Sequence, residues 1–260
     1  TGVAFDGTGW GPDGTIWGGE ILHATATGYR RIARLRPFAL AGGEAAVREP
    51  WRVALALATE ALGDAATLGM PRFQMCGETA RRLVRLMDRP AIAPRTSSAG
   101  RLFDGVAALV LGIDRCDYEA EAAVRLEDAC LPGVATGYRM PLERVPSGSG
   151  TITEIDWRPA VREIVADLAQ GIDAGEVATK FHRGLAAEVM DVCRTVGKGR
   201  PIVLGGGVFQ NRVLVEAIVA EHRAGDGPLG LPGMIPPGDG GLAAGQLAVA
   251  MATRQRREVR

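Results

Sequence analysis

The sequence predicts an α/β fold built as one large domain. Three strand-like segments open the chain, a largely helical insertion spans about residues 45–195, and a strand followed by two helices comes last. The 36 glycines cluster between apolar runs, as expected of tight turns in α/β enzymes and not of a collagen-like repeat. A chain of 260 residues is long enough to bury a sizeable core.

The three predicted strands lie within the first 35 residues. Residues 3–5 form a short apolar run, and residues 14–22 are its predicted hairpin partner across the Gly-Pro-Asp-Gly turn at 11–14. Residues 29–35 alternate less regularly and are the third predicted strand.

Apolar residues at helical spacing predict four helices in the insertion. Pro50 stands at the first position of one helix, residues 103–111 form the second, and Asp156 is the predicted cap of the third. Residues 181–192 carry the fourth. Residues 141–151, rich in Pro, Ser and Gly, are predicted to be a loop.

The last part of the chain repeats the strand-to-helix order. Residues 201–204 form a fully apolar strand that runs into a glycine triplet at 205–207. A helix is predicted at about 211–222. After a linker at 232–237, Asp239 opens the last predicted helix, which extends through residue 251.

Charge and cysteine content argue against several classes of protein. Lys plus Arg and Asp plus Glu are both 30, so nothing indicates a nucleic-acid footprint or a membrane-surface patch. The four cysteines are far apart without a CxxC pair, as expected of small core residues in a reducing cytoplasm. No signal peptide or membrane-spanning stretch is predicted. We therefore expect a cytoplasmic protein.

Two aspartates stand where a carboxylate could face a ligand. Asp6 ends the first strand and precedes Gly-Thr-Gly, a turn that can expose backbone N–H groups to a phosphate. Asp6 could equally satisfy its own turn. Asp239 precedes a helix, so it is either a second carboxylate in the same cleft or an N-cap worth about 1 kcal/mol.

Other candidates also have a structural alternative. The triplet at 205–207 would let an adenine or ribose lie on the backbone, although neither GxGxxG nor a Walker A sequence is present. Ser98 and Gly100 open a helix with Asp104 one turn in, which suits an anion site or an ordinary cap. Glu119 resembles a surface residue. The three histidines lack metal-site spacing, and no covalent nucleophile is predicted.

Six motifs stand in order along the chain: AFDGTGWGPDGTIWGGE at 4–20, LRPF at 35–38, TSSAGRLFD at 96–104, YEAEAA at 118–123, LGGGVFQN at 204–211 and PPGDGGLAAGQ at 236–246. Together they resemble the HypF family of carbamoyltransferases in NiFe-hydrogenase maturation. Residues 1–260 are thus similar to the C-terminal subdomain of the family's TsaD-like module. The resemblance implies an actin-like ATPase, RNase H-like (ASKHA) half-module with a helical insertion.

The resemblance also implies an activity and a set of ligands. HypF proteins make carbamoyl-adenylate from carbamoyl phosphate and ATP, and then move the carbamoyl group to the C-terminal cysteine of HypE. The expected ligands are ATP or carbamoyl-adenylate and a divalent metal, which could be Mg, Fe or Zn. On matching positions, Asp6 and Asp239 would bind the metal. The nucleotide would be lined by Thr8, Ser98, Gly100, Asp104, Glu119, Gly205, Gly206, Gly207 and Asn211.

This chain also departs from the family pattern. Two metal-binding histidines that precede the first strand in the family are absent, as are the acylphosphatase-like, zinc-finger and YrdC-like domains. Ala120 and Glu121 stand where Gly and Gln are usual, and Gly238 stands where Asn is common. We therefore expect a fragment that cannot complete the reaction alone. Its expected partners are the missing N-terminal HypF domains and the C-terminus of a HypE-like protein.

Three alternatives remain at this point. The first is an O-carbamoyltransferase that shares the module but acts on a small-molecule hydroxyl. The second is a TsaD-like tRNA-modifying partner, which the balanced charge disfavours. The third is a non-catalytic fragment that binds a nucleotide or a partner without turnover.

Overall fold

A computed structural model describes residues 1–148 and 150–258. The strands are β1 Gly2–Trp10, β2 Ile16–Thr25, β3 Gly28–Leu35, β4 Phe38–Ala39, β5 Arg95–Thr96, β6 Leu142–Ser147, β7 Gly150–Ile155, β8 Ile202–Gly205 and β9 Leu229–Gly230. The helices are α1 Ala45–Arg48, α2 Trp51–Leu62, α3 Asp64–Leu68, α4 Pro71–Met75, α5 Gly77–Leu86, α6 Ala99–Leu111, α7 Glu121–Asp128, α8 Arg158–Ala169, α9 Ala174–Val192, α10 Arg212–Glu221 and α11 Leu242–Glu258. Within the described residues the strands form one mixed sheet, ordered β6-β7-β3-β2-β1-β8-β9, with β4 and β5 beside β2.

The predicted three-stranded start of the sheet is confirmed. β1 pairs antiparallel with β2 and β2 with β3. At the first turn, one carboxylate oxygen of Asp13 accepts hydrogen bonds from the Thr15 hydroxyl at 2.7 Å and the Trp17 indole N–H at 2.8 Å. β1 is longer than the predicted apolar run because pairing resumes at Gly9 and Trp10, beyond an irregularity after Phe5.

The predicted helices of the insertion are present. α2 begins after Pro50, and its buried side chains pack against α6 and α8. α6 begins at Ala99, four residues before the predicted start, since the Ser98 hydroxyl caps it. The N-cap residue of α8 is Trp157, one position after the predicted Asp156, and its side chain makes no capping bond. The Asp156 side chain still accepts the Arg158 N–H, at 3.0 Å.

The loop predicted at 141–151 is wrong for most of its length. These residues form the β6–β7 hairpin, with Ser149 outside the described residues. β7 pairs in parallel with β3, and residues 152–155 are buried on both faces of the sheet. Pro146 lies in the edge strand β6, the place in a sheet where proline is tolerated.

The pairing of β8 with β1 determines where ligands could bind. The two strands run in parallel, with Ala4 opposite Gly205, so both carboxyl ends reach the same edge of the sheet. Ligands of open α/β sheets bind at this edge. A 3-10 turn, Gly207–Gln210, and helix α10 follow β8 there, and a second 3-10 turn, Asp239–Gly241, leads into α11. No helix in the described part of the chain is long and apolar enough to cross a membrane.

Candidate nucleotide-binding site

A cavity of about 460 Å³ opens at the carboxyl ends of β1 and β8, between the N-terminal ends of α6, α7 and α10. Seven of the eleven predicted site residues line it: Asp6, Gly100, Asp104, Glu119, Gly207, Asn211 and Asp239. They come from five separate parts of the sequence, and the fold brings them together. The other four, Thr8, Ser98, Gly205 and Gly206, are not among the lining residues.

Gly206 joins three segments beneath the cavity. Its backbone has φ +103°, and a Cβ at this position would lie 2.1 Å from the Phe5 carbonyl oxygen. Its N–H donates to the Pro237 carbonyl at 2.7 Å, which holds the segment before Asp239 against the glycine triplet. Only glycine fits this backbone conformation at so close an approach. Gly206 therefore supports the site from outside the cavity lining.

Helix α6 is fixed against the turn after β1. The Ser98 hydroxyl donates to the Asp6 carbonyl oxygen and accepts the Arg101 N–H, both at 3.1 Å. A Cβ on Gly100 would lie 3.2 Å from the Cα of Gly7, so the helix N-terminus and the turn are in close contact. Ser98 is fully buried, and its contacts are those of a helix cap.

The two predicted metal ligands both have exposed side chains. Asp6 accepts the Gly7 N–H at 2.8 Å through Oδ1. A Cβ on Gly207 would lie 3.2 Å from that same oxygen, which places the carboxylate beside the glycine triplet. Among the described residues, none donates a hydrogen bond to the Asp239 side chain, and the Asp239–Gly241 turn has no side-chain cap. Both residues line the cavity.

A buried ion pair lies in the cavity wall. Arg101 Nη1 is 2.9 Å from Asp104 Oδ2, and the two residues are only 4% and 3% exposed. Burial raises the pKa of Asp104 to about 6, against the lowering effect of Arg101, and the Glu119 carboxylate adds to the increase. The Arg101 Nε has no hydrogen-bond partner in the described part of the chain.

Sequence reasoning missed Arg101 as a lining residue. The available signal was its spacing from Asp104, since residues three apart on a helix face each other. Sequence reasoning also gave His182 no role beyond a satisfied helix histidine. In the structure the side chain of His182 contacts Asn211: the Asn211 Nδ2 is 2.9 Å from the His182 Nε2. No local pattern could have revealed a contact between residues 29 positions apart.

The sheet and its cavity define an actin-like, RNase H-like α/β half-module, as the sequence predicted. The family model described as carbamoyltransferase, Kae1-like domain, second subdomain matches residues 2–246. The chain therefore belongs to the HypF family of carbamoyltransferases and corresponds to this second subdomain.

Individual relatives agree with this assignment. The chain is 36% identical to carbamoyltransferase HypF of Synechocystis sp. over 98% of this chain and 34% of the relative. It is 39% identical to HypF of Rhodobacter capsulatus over 96% of this chain and 32% of the relative. A crystal structure of full-length HypF in the phosphate- and nucleotide-bound form matches with a TM-score of 0.84 and 28% identity, over 96% of this chain and 39% of that one. The chain thus spans about a third of the length of these curated relatives.

Proposed function

We propose that this chain forms the nucleotide- and metal-binding half of a carbamoyl-transfer site. In the complete protein, that site would pass a carbamoyl group from carbamoyl-adenylate to the C-terminal cysteine of a HypE-like protein. The observation that carries the proposal is the convergence of seven predicted site residues on one cavity at the carboxyl ends of β1 and β8. The similar full-length HypF, described as phosphate- and nucleotide-bound, supports a nucleotide as the ligand.

The cavity offers the groups that a nucleotide needs. The backbone turns after β1 and β8 can donate N–H groups to phosphate oxygens. The N–H groups at the start of α10 are already bonded, to Glu127 and to the Asn211 side chain. Asp104, when ionised, can accept hydrogen bonds from ribose hydroxyls. No residue of the cavity needs to act as a covalent nucleophile, because the activated carbamoyl group and the incoming thiolate need only be held in contact.

The donor set of this chain alone is oxygen only and by itself fits Mg²⁺. The two histidines expected in the preceding part of the family's module would add nitrogen ligands to the complete site. Asp6 and Asp239 supply oxygen ligands, and no third His, Cys, Asp or Glu in the described part of the chain joins them in a metal-binding group. Mg²⁺ is commonly held by one or two carboxylates together with substrate phosphates and water, whereas Zn²⁺ favours several nitrogen or sulfur ligands. Such a cation, when bound, would neutralise phosphate charge and polarise the carbamoyl carbonyl.

Calorimetry of ATP binding, with and without Mg²⁺, tests the proposal directly. We expect binding that strengthens with Mg²⁺, and we expect Asp239→Ala to remove most of that increase, a loss of about tenfold or more. Asp114→Ala is the matched control, since its side chain is exposed and lies outside the cavity. Absence of binding by the wild-type chain under every condition would contradict a half-site formed by these residues.

An apolar face beside the cavity supports a role for the preceding part of the longer relatives. Residues 242–251 of α11 are exposed, and Leu242 at 59% and Val249 at 49% exposure face β8. Val203 of β8, 55% exposed, and Ile235, 58% exposed, extend this face. A second cavity, of about 1080 Å³, lies between β8 and α11 and meets the first cavity at Gly238. A continuous apolar surface of this kind is typical of an interaction site.

We infer that this apolar face docks the companion subdomain, because the matched family region is described as the second subdomain of its domain. The docking test titrates the chain with the region that precedes the match in the Synechocystis relative, produced as a separate polypeptide. We expect a one-to-one complex by sedimentation velocity, weakened by Val249→Asp and retained by Met75→Asp, an exposed residue outside this face. Self-association of the chain that excludes the added region would overturn this assignment.

The chain alone is expected to bind nucleotide without completing the reaction. Carbamoyl phosphate-dependent ATP cleavage by the isolated chain would contradict the half-site proposal, because the chain would then hold the whole site. Nucleotide binding with no cleavage, together with activity on addition of the preceding regions, is the expected outcome.

A further inference from the structure

The side-chain amide of Asn211 is held at both ends. Its Oδ1 accepts the Leu214 N–H at 2.8 Å and so caps α10, and its Nδ2 is 2.9 Å from the His182 Nε2. The oxygen must face the backbone N–H, so the nitrogen must face the histidine. Rotating the amide by 180° would break both hydrogen bonds. Asn211 therefore has a single supported orientation.

The ring of His182 is fixed in a matching tautomer. Its Nδ1 is 2.8 Å from the Ala178 carbonyl oxygen, which can only accept, so Nδ1 carries the hydrogen. Nε2 is then the acceptor that Asn211 needs. His182 is fully buried, with ring contacts to Phe103 and Phe181 at centroid distances of 5.2 and 6.0 Å. Burial lowers the pKa of His182 to about 4, so the ring is neutral at physiological pH.

We propose that His182 is a positioning residue that makes Asn211 present an N–H group, and not its carbonyl, to the bound nucleotide. A primary amide nitrogen carries two hydrogens, and His182 takes one. Asn211 lines the cavity, so the second hydrogen is available to an acceptor on the ligand, such as a ring nitrogen of the base or a ribose oxygen. The inference rests on the proposed nucleotide-binding function and adds a donor of fixed identity to that site.

A double-mutant cycle tests this coupling. His182→Phe keeps an aromatic ring among aromatic neighbours and removes the ring's polar contacts with Asn211, Ala178 and the Cys130 sulfur. Asn211→Ala removes the donor. We expect each change to weaken ATP binding about tenfold, and the double variant to be no weaker than Asn211→Ala alone. His182→Gln, which can both accept and donate, should recover most of the affinity. The control is Phe181→Leu, which disturbs the same packing without touching Asn211 and should change affinity by less than about twofold.

A ligand-free measurement gives an independent test. Nitrogen-15 NMR of the His182 ring in the wild-type chain should show a protonated Nδ1 and an unprotonated Nε2. The opposite tautomer would overturn the proposal, and this test holds even if His182→Phe fails to fold. Two binding results would also overturn the role of His182 while the proposed function stands. One is equal ATP affinity of the wild type and a folded His182→Phe variant. The other is a loss of affinity in the double variant equal to the sum of the two single losses. Failure of the wild-type chain to bind ATP would instead remove the proposed function, and this inference with it.

Discussion

Replacing Asp104 with asparagine should change how the stability of the chain depends on pH. Asp104 is 3% exposed, and burial raises its pKa from the ordinary 3.8 to about 6 in spite of the neighbouring Arg101. Since its pKa is higher in the folded chain than in the unfolded chain, the folded chain holds a proton between about pH 4 and 6 that the unfolded chain releases. The contribution of Asp104 to stability is therefore largest below pH 4 and is lost as the pH rises through 6.

The expected size follows from the two pKa values. A difference of about two pH units corresponds to about 3 kcal/mol, at about 1.4 kcal/mol for each unit. Asparagine has the same shape and does not titrate. The free energy of unfolding of the wild type, minus that of Asp104→Asn, should therefore fall by about 3 kcal/mol between pH 4 and pH 7.

His182 acts in the opposite direction over nearly the same range. Burial lowers its pKa from the ordinary 6.5 to about 4, so the unfolded chain binds the proton and stability rises between pH 4 and 6.5. In the wild type the two contributions largely cancel. Asp104→Asn should retain the rise due to His182, so its stability should increase over the range in which the wild-type curve is comparatively flat.

Urea unfolding followed by far-UV circular dichroism, at half-unit steps from pH 4 to 7, measures both curves. Asp114→Asn is the control, since this exposed carboxylate pairs with Arg72 at the surface, and its curve should run parallel to that of the wild type. Parallel curves for the wild type and Asp104→Asn would refute the reasoning. If the free energy of unfolding of the wild type minus that of Asp104→Asn instead rises with pH, the ion pair with Arg101 outweighs burial and Asp104 is ionised throughout.

Two further predictions concern the backbone around the cavity. Ala120 has φ +62°, a left-handed conformation that costs a non-glycine residue about 1–2 kcal/mol. Glycine removes this cost but gives the unfolded chain more conformational freedom. Ala120→Gly should therefore stabilise the chain by a net of about 0.5 kcal/mol. Lys198→Gly, at φ +55° and outside the cavity lining, should give a similar gain in thermal unfolding; destabilisation in both variants would contradict the argument. Gly206→Ala, whose Cβ would meet the Phe5 carbonyl, should destabilise by about 2 kcal/mol or more, whereas Gly205→Ala has open space and should cost under about 1 kcal/mol. Equal effects of these two alanines in denaturant unfolding would refute the close approach.

Local chemistry made the element order and much of the cavity lining predictable. The Gly-Pro-Asp-Gly turn predicts the first hairpin, and Pro50 predicts the start of α2 to within one residue, since it is the N-cap and not the first helical residue. Both predictions depend on residues adjacent in sequence. Asp6 and Asp239 are also recognisable as candidates. Asp6 ends a strand and precedes a glycine-rich turn, and Asp239 precedes two glycines at the start of a helix. Their arrival in one cavity follows from the parallel pairing of β1 and β8.

Long-range pairing accounts for what the sequence did not reveal. The β6–β7 hairpin looks like a loop because β7 is ordered by β3, which lies more than 100 residues earlier, and because Pro146 is acceptable only at an edge. In the sequence Ser98 resembles a ligand-binding hydroxyl. In the structure it lies outside the cavity lining, because α6 packs closely against the turn after Asp6 and the hydroxyl bonds to the Asp6 carbonyl. The burial of Asp104 likewise depends on packing that its helix alone does not determine.

Docking at the apolar face and nucleotide binding should be coupled through the two exposed aspartates. The two cavities meet at Gly238, next to Asp239, so a subdomain seated on α11 and β8 would reduce the access of water to the carboxylates of Asp6 and Asp239. Taking two unpaired carboxylates out of water costs several kcal/mol, and a shared cation reduces that cost. Mg²⁺ with ATP should therefore strengthen association of the companion subdomain, and by linkage the companion should strengthen Mg²⁺-ATP binding by the same factor. Sedimentation with and without Mg²⁺-ATP measures this factor, which Asp239→Asn should reduce, and equal association under both conditions would mean that the two surfaces act independently.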